Sequence, residues 1–408
     1  PGAFFDNQLL FSEDRFSFYS DDYVTLTQSL SGITKSNGLI FGLSRIQGSN
    51  EVFGYVQYII ENSDAAAKPI KRGDIFIAVN GTTLTDTNYS SLLFGESDTY
   101  TLTMGDIVDG EVVANDTEIT LTKEVGLQEN PIFLNEIVEM GSSKIGYLIY
   151  TGFIDEFDEE LNAIFGRFKS NGVTDLVLDL RYNSGGSVNT AILLSSMIYG
   201  TNTKDVFLKA RYNDKYQKVL EDSGTDLKRY FANKTKKGTE INSLNLNKVY
   251  ILTTTGSASA SELVINGLEP YVDVIQIGET TRGKNEFSTT LVDDRDNNYI
   301  YSPERTSKIS SKNRWAIQPL LGRNENADGF SDYTAGLTPD IELDEDLTNL
   351  GVLGDLNEPL LERALSEISG TSAKRAFDVQ LPAKPITNSK MYDPLKDNMF
   401  ISDPPVIW

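Results

Sequence analysis

The most restrictive feature of this sequence is a change of hydrophobic period near residue 130. From about Gly38 to Val125 apolar and polar residues alternate, as in Gly54-Tyr-Val-Gln-Tyr-Ile-Ile60, Asp74-Ile-Phe-Ile-Ala-Val79, Thr99-Tyr-Thr-Leu-Thr103 and Glu118-Ile-Thr-Leu-Thr122. A period of two is what a half-buried strand requires, and Asn80-Gly81 is a turn pair suited to a hairpin. After a linker at Gly126 to Pro131 the pattern becomes strands alternating with helices, which marks an α/β layer domain. Lys144 to Tyr150 reads as a strand, and Ile154, Phe157, Leu161, Ile164, Phe165 and Phe168 then fall on one helical face that Asn171-Gly172 ends. The chain must therefore fold as a small mainly-β module and a larger α/β unit.

This divides the 408 residues into four stretches. Residues 1–34, with scattered Phe and Leu among acidic residues, read as a short helical segment. Residues 35–125 are the β module, and residues 126–370 the α/β domain. Within the latter, residues 201–247 are polar and Lys-rich with few apolar repeats, the composition of an insertion or flap. Asn357 to Ile368 reads as its last amphipathic helix. Residues 371–408 form an aperiodic, Pro-containing extension that wraps or dangles.

Composition narrows the chemistry. The sequence contains no His and no Cys, which removes a Ser/His/Asp triad, thiol nucleophiles, disulfides, His- or thiolate-bound metals and iron–sulfur clusters. Lys and Arg number 36 against 59 Asp and Glu, a net charge of −23, and so acidic a chain is no polyanion binder; nucleic acid is excluded as a partner. No run of about 18 apolar residues is present, so no transmembrane segment is expected. A start at Pro1 without Met is read as that of a mature or shortened chain.

Three segments end a buried strand in a turn of small residues. Val249-Tyr-Ile-Leu-Thr253 runs into Thr254-Thr-Gly-Ser-Ala-Ser-Ala-Ser-Glu262 and a helix to about Tyr271. Such a turn mounts a Ser where free N–H groups and the helix dipole favour a nearby oxyanion, although a helix N-cap is the commoner use of a Ser there. Val272-Asp-Val-Ile-Gln-Ile277 opens into Gly278-Glu-Thr-Thr-Arg-Gly-Lys284, whose lysine is the available base in a chain without His, or else a surface lysine. As a base near neutral pH its amine has to fall from roughly 10.4 by about three units, costing about 4 kcal/mol of desolvation. Thr174-Asp-Leu-Val-Leu-Asp-Leu180 leads into Gly185-Gly186, a glycine turn able to offer backbone N–H groups to an oxyanion or simply to make a tight connection.

Together, Leu178-Asp-Leu-Arg-Tyr-Asn-Ser-Gly-Gly186, Ser257-Ala-Ser-Ala-Ser-Glu262 and Gly278-Glu-Thr-Thr-Arg-Gly-Lys284 resemble the three ordered motifs of the C-terminal processing peptidases, or tail-specific proteases. The resemblance implies a crotonase-like or ClpP-like α/β core with an inserted PDZ domain. It assigns the nucleophile to Ser259 and the base to Lys284 and makes Ser257 and Ser261 supporting residues; beside them, the N–H groups of Gly185, Gly186 and Ala260 are the oxyanion-hole candidates that the turn chemistry offers. Lys71-Arg-Gly-Asp-Ile-Phe-Ile-Ala-Val-Asn-Gly81 independently resembles a PDZ signature, with the carboxylate-binding stretch at Leu39, Ile40, Phe41, Gly42 and Leu43. Gly336-Leu-Thr-Pro-Asp-Ile341 resembles a further family segment. One departure is that many members carry Gln four residues after the Lys; here Ser288 stands there, which leaves Ser288, Glu286 or backbone carbonyls alone as candidates for the third partner of the amine.

The expectation is a serine endopeptidase without metal or cofactor. It acts on proteins or peptides whose C-termini the PDZ domain captures, in the periplasm or cell envelope, with a lipid anchor upstream of Pro1 as one arrangement. The alternatives are an inactive peptide or ligand holder on the same fold, and a glycan-active protein using paired carboxylates. Neither oligomeric state nor substrate identity is legible.

Overall fold

A computed structural model describes residues 2–371, 383–393 and 396–405. The chain divides into two compact units, one of residues 32–130 with 343–396, the other of residues 1–31, 131–342 and 397–408.

In the first unit β1 (Leu39–Ile46), β2 (Val52–Ile59), β3 (Ile75–Val79), β4 (Thr99–Val108) and β5 (Glu111–Thr122) are neighbours in that order, all antiparallel. The hairpin after β3 turns at Asn80 and Gly81, with φ of 49° and 73°, the left-handed pair that matches strand twist. Alternation buries Leu43, Val56, Phe76, Leu102 and Leu121 in one cluster, with α1 (Tyr89–Phe94) packed against it through Leu93. The mainly-β expectation for 35–125 describes this unit, with a strand at Ile33–Ser36 pairing Glu124–Gln128 at its two ends.

The second unit is built on a sheet ordered β6 (Ile132–Met140), β7 (Ser143–Tyr150), β8 (Asp175–Asp179), β12 (Lys248–Thr253), β13 (Asp273–Gly278) and β16 (Ile341–Glu342). Its pairs are parallel except β6 with β7. Helices α2 (Asp158–Ser170), α3 (Val188–Ile198) and α4 (Ala260–Leu268) bury their apolar faces with this sheet in one core, and Arg167 and Lys169 in the last turn of α2 suit its dipole. A second sheet brings together β9 (Gly186–Ser187), β18 (Met399–Phe400), β14 (Glu286–Ser288), β15 (Leu320–Glu325), β10 (Val206–Tyr212) and β11 (Lys228–Tyr230), in that order.

Three expectations change. Residues 201–247 are no flap: β10 and β11 pair within the second sheet, and Phe207, Leu220, Phe231, Ile241 and Leu246 lie in the main core. Each such Phe gains about 1.5–3 kcal/mol by burial, which outweighs the polar residues between them. The helix expected to close the α/β domain, α5 (Pro359–Ser369), belongs to the β unit, whose Arg72 donates to Glu345 at 2.8 Å and to the Leu350 carbonyl at 3.2 Å. The last residues are ordered in part: β17 (Ala383–Asn388) adds to the free edge of β1, and β18 enters the second sheet of the other unit. Residues 372–382 of that extension lie outside the described residues. The N-terminal segment is helical at Gly2–Phe4 and Tyr23–Leu30, but Phe18–Ser20 is a strand paired with Ala316–Gln318.

Candidate active site

Ser259 sits where β12 turns into α4, with φ of 65° and ψ of −111°. A non-glycine residue at such angles is strained and persists only when its surroundings impose it. Here they do. The Ser259 N–H donates to Glu262 Oε2 at 2.7 Å, Ala258 N–H donates to the Asn183 carbonyl at 3.1 Å, and Ser261 Oγ donates to the same carbonyl at 2.9 Å. Ser257 Oγ donates to the Leu180 carbonyl at 2.8 Å. The serines flanking Ser259 thus stitch its turn to the end of β8, the supporting part that the resemblance implied for them. The Ser259 hydroxyl is buried at the N-cap of α4, in a capping-box arrangement with Glu262, and makes no close hydrogen bond among the described residues.

Glu262 is the organiser of the site. Its Oε1 accepts from Thr281 Oγ1 and Gly283 N–H, both at 2.6 Å, and its Oε2 accepts from Ser259 N–H and, at 2.9 Å, from Lys284 N–H. One carboxylate therefore fixes the backbones of both the serine turn and the lysine loop. Burial raises its pKa, while the four donors favour the carboxylate. With every one of these positions filled by a donor, an acid proton would have nowhere to go, so the ionised form is the one the site accommodates. Gly283, at φ of 83°, could carry no side chain, because a Cβ would strike the Thr334 carbonyl.

Lys284 is 1% exposed. Burial lowers its amine to about 8, against the opposing pull of the Asp397 and Glu286 carboxylates. The amine donates to the Asp397 carbonyl and lies 4.7 Å from the centre of the Phe16 ring. It is thus neither a surface lysine nor, in this arrangement, hydrogen-bonded to Ser259.

The glycine pair follows β8. Asp179 and Arg181 form a buried ion pair at 2.6 Å there, and Tyr147 Oη donates to Asp179 at 2.8 Å. Gly185 N–H donates to Asn183 Oδ1 at 2.9 Å, so it is spoken for, whereas Gly186 N–H donates to the Asn398 carbonyl at 2.7 Å. Both have positive φ, 117° and 131°, and a Cβ on Gly185 would lie 2.9 Å from Ser259 Oγ. Ala260 opens α4, where N–H groups lack helical acceptors. Of the expected oxyanion donors, Gly185 and Gly186 both have their N–H groups hydrogen-bonded in this arrangement, and Gly185 packs closely beside the Ser259 hydroxyl.

Ser288 does not hold the lysine. Its hydroxyl lies 2.8 Å from Asn398 Oδ1 and 3.1 Å from the Met399 carbonyl, and it accepts from Gln318 Nε2 at 3.1 Å. A glutamine is present after all, but from another strand and bound to Ser288 instead of the amine. Leu39 to Leu43 lie on β1 of the other unit, where Asn388 is in register with Gly42 and Phe41 N–H donates to Ser389 Oγ at 3.1 Å. Sequence reasoning missed Glu262 as organiser, although it closes a quoted motif, and missed Phe16, Gln318, Asp397 and Asn398, for which no local signal exists.

The family model of peptidase family S41 matches residues 144–343. The chain is 27% identical over 151 residues to the carboxy-terminal processing protease CtpA of Bacillus subtilis, covering 37% of this chain and 28% of that protein. It is 26% identical over 229 residues to the chloroplastic carboxyl-terminal-processing peptidase 1 of Arabidopsis thaliana, covering 55% and 42%. The chain thus spans less than half the length of these curated relatives. An S41 protease candidate from Bacteroides fragilis has a similar structure, with a TM-score of 0.69, 27% identity and 91% of each chain covered. By these matches, residues 144–343 of the chain are similar to peptidase family S41, and the three motifs lie within that stretch.

Proposed function

We propose that the chain is a serine endopeptidase in which Ser259 is the nucleophile and Lys284 the general base. The observation that carries this reading is the pairing of a strained, unpartnered, buried hydroxyl with a buried amine lowered to about 8, both fixed by the Glu262 carboxylate. Neutral Lys284 takes the proton of Ser259 Oγ as it attacks the substrate carbonyl. The oxyanion rests on the N–H groups of Gly186 and Ala260. The protonated amine then gives its proton to the leaving amine, and water, activated by the same lysine, hydrolyses the acyl-enzyme. To do this the amine leaves the Asp397 carbonyl it is bound to.

In the same reading the β unit takes substrate C-termini at Leu39 to Leu43 as an added strand, in the manner of PDZ domains. Support comes from the edge of β1, which already carries an antiparallel strand in β17. A periplasmic or envelope location follows from the resemblance alone; among the described residues no helix is long and apolar enough to cross a membrane. Ser259→Ala is expected to abolish cleavage of a denatured test protein and labelling by a fluorophosphonate while leaving the circular dichroism spectrum unchanged. Cleavage persisting in the pure variant rejects the assignment. The rival reading, an idle cleft, draws on the lack of a bond between Lys284 and Ser259, and labelling of the wild-type chain at Ser259 decides against it.

A further inference from the structure

The strand β18 comes from the far end of the chain and lies between β9 and β14, both of which flank the catalytic residues. It runs parallel to both, with Gly186 opposite Met399, Ser187 opposite Phe400 and Ser288 opposite Phe400. The Gly186 N–H donates to the Asn398 carbonyl at 2.7 Å, the Ile401 N–H to the Ser288 carbonyl at 3.0 Å, and Thr289 Oγ1 to the Ile401 carbonyl at 2.9 Å. Without this strand, β9 and β14 would face each other across a slot one strand wide, lined by unpaired main-chain groups. A slot of that kind binds an extended peptide by strand addition.

The strand passes close to Ser259. The point where a Cβ on Gly185 would sit is 2.7 Å from the Asn398 carbonyl oxygen and 2.9 Å from Ser259 Oγ. The same carbonyl is on the Gly186 amide, the glycine donor assigned to the oxyanion. The preceding carbonyl, of Asp397, takes the amine of Lys284. While these bonds stand, Ser259 is fully buried and no other peptide reaches it.

The strand is also incompletely satisfied. Asn398 Nδ2 is buried with no hydrogen-bond partner among the described residues, although its Oδ1 meets Ser288. A permanent core strand seldom leaves a buried donor unpaired. A guest in a slot shaped for other side chains does. Met399, by contrast, is fully buried in the main core, with Asn324 Nδ2 on its sulfur, so the slot offers one polar position at Ser288 and Gln318 followed by one largely apolar position.

Resting on the peptidase reading above, we propose that the slot between Gly186–Ser187 and Glu286–Ser288 is the substrate groove, and that Asp397–Ile401 fills it in cis as a substrate-like strand. The Asn398 carbonyl then stands in for the scissile carbonyl, and the full chain is held closed until this segment withdraws. Substrates enter as an extended strand with a small polar residue beside Ser288 and an apolar residue after it.

The test compares the full chain with one ending at residue 396. The shortened chain is expected to label with a fluorophosphonate at Ser259 at least tenfold faster. A synthetic peptide of residues 397–405 should bind it, by fluorescence anisotropy, and slow labelling again in proportion to occupancy. A folded shortened chain that labels no faster, or a peptide that neither binds nor slows labelling, overturns the proposal. Should the shortened chain not fold, Asn398→Lys in the full chain decides, because a buried ammonium facing Ser288 forces the segment out. Labelling at least threefold faster supports the proposal, and an unchanged rate overturns it. Peptide binding without labelling in any variant rejects the peptidase reading and leaves the groove standing.

Discussion

Arg181 and Lys284 are two cations buried within the same unit, and the chain treats them in opposite ways. Arg181 is fully buried against Asp179, with the Tyr147 hydroxyl on the same carboxylate, so its charge is neutralised where it stands. Lys284 is nearly as buried, yet among the described residues no ion pair holds it; its amine has a backbone carbonyl and the face of Phe16. A guanidinium cannot lose its proton under these conditions, so it has to be paired, whereas an amine left unpaired relieves its burial by deprotonating. The first arrangement fixes the end of β8 and the glycine pair behind it. The second leaves an amine that can act as the base the proposed mechanism needs.

The sharpest way to break this comparison is to remove each cation in turn. Lys284→Met should lower kcat/KM by about 10²–10⁴-fold, the range expected for loss of a general base, with thermal stability unchanged or raised. A large loss of melting temperature in that variant would mean that the amine has a structural role after all. Arg181→Met should do the reverse. It leaves the Asp179 carboxylate buried without its partner, at a cost of about 3–5 kcal/mol in denaturant unfolding.

The pH profile comes next. In the proposed mechanism Lys284 works as the neutral amine, and burial lowers its pKa to about 8, so log kcat/KM should rise with unit slope below that value and level off above it. The Asp397 carboxylate raises this pKa, so Asp397→Asn should move the limb to lower pH. A limb that stays in place would remove Asp397 from the electrostatics of the site. Glu262→Gln tests the scaffold that holds both loops, since an amide NH₂ must face N–H groups that now meet a carboxylate oxygen. A loss of about 1–3 kcal/mol in stability is the measure, with activity falling because the serine and lysine backbones are no longer held together.

Much of the scaffold was legible because burial writes a local pattern. The strand read at Thr174 to Leu180 is β8, that at Val249 to Thr253 lies in β12, and the helical face ending at Phe168 belongs to α2, stopped at Asn171 and Gly172 as expected. The pattern failed where apolar residues were sparse. Phe207, Leu220 and Phe231 are too widely spaced to show a period, and a core segment therefore read as a flap. It failed again for α5, whose amphipathic face says that it packs without saying against which unit.

By itself the sequence determined the chemistry available: with no His and no Cys, any nucleophile and base must be drawn from residues such as Ser259 and Lys284, on loops that follow buried strands. Only the tertiary structure decided how far the amine is desolvated, that Glu262 joins the two loops, and that Phe16, Gln318, Asp397 and Asn398 share the site. Hydrophobic period and turn type are properties of neighbouring residues and survive in a linear text. Desolvation and hydrogen-bond partnership depend on groups more than a hundred positions apart, such as Lys284 and Asp397, and exist only once the chain has closed around them.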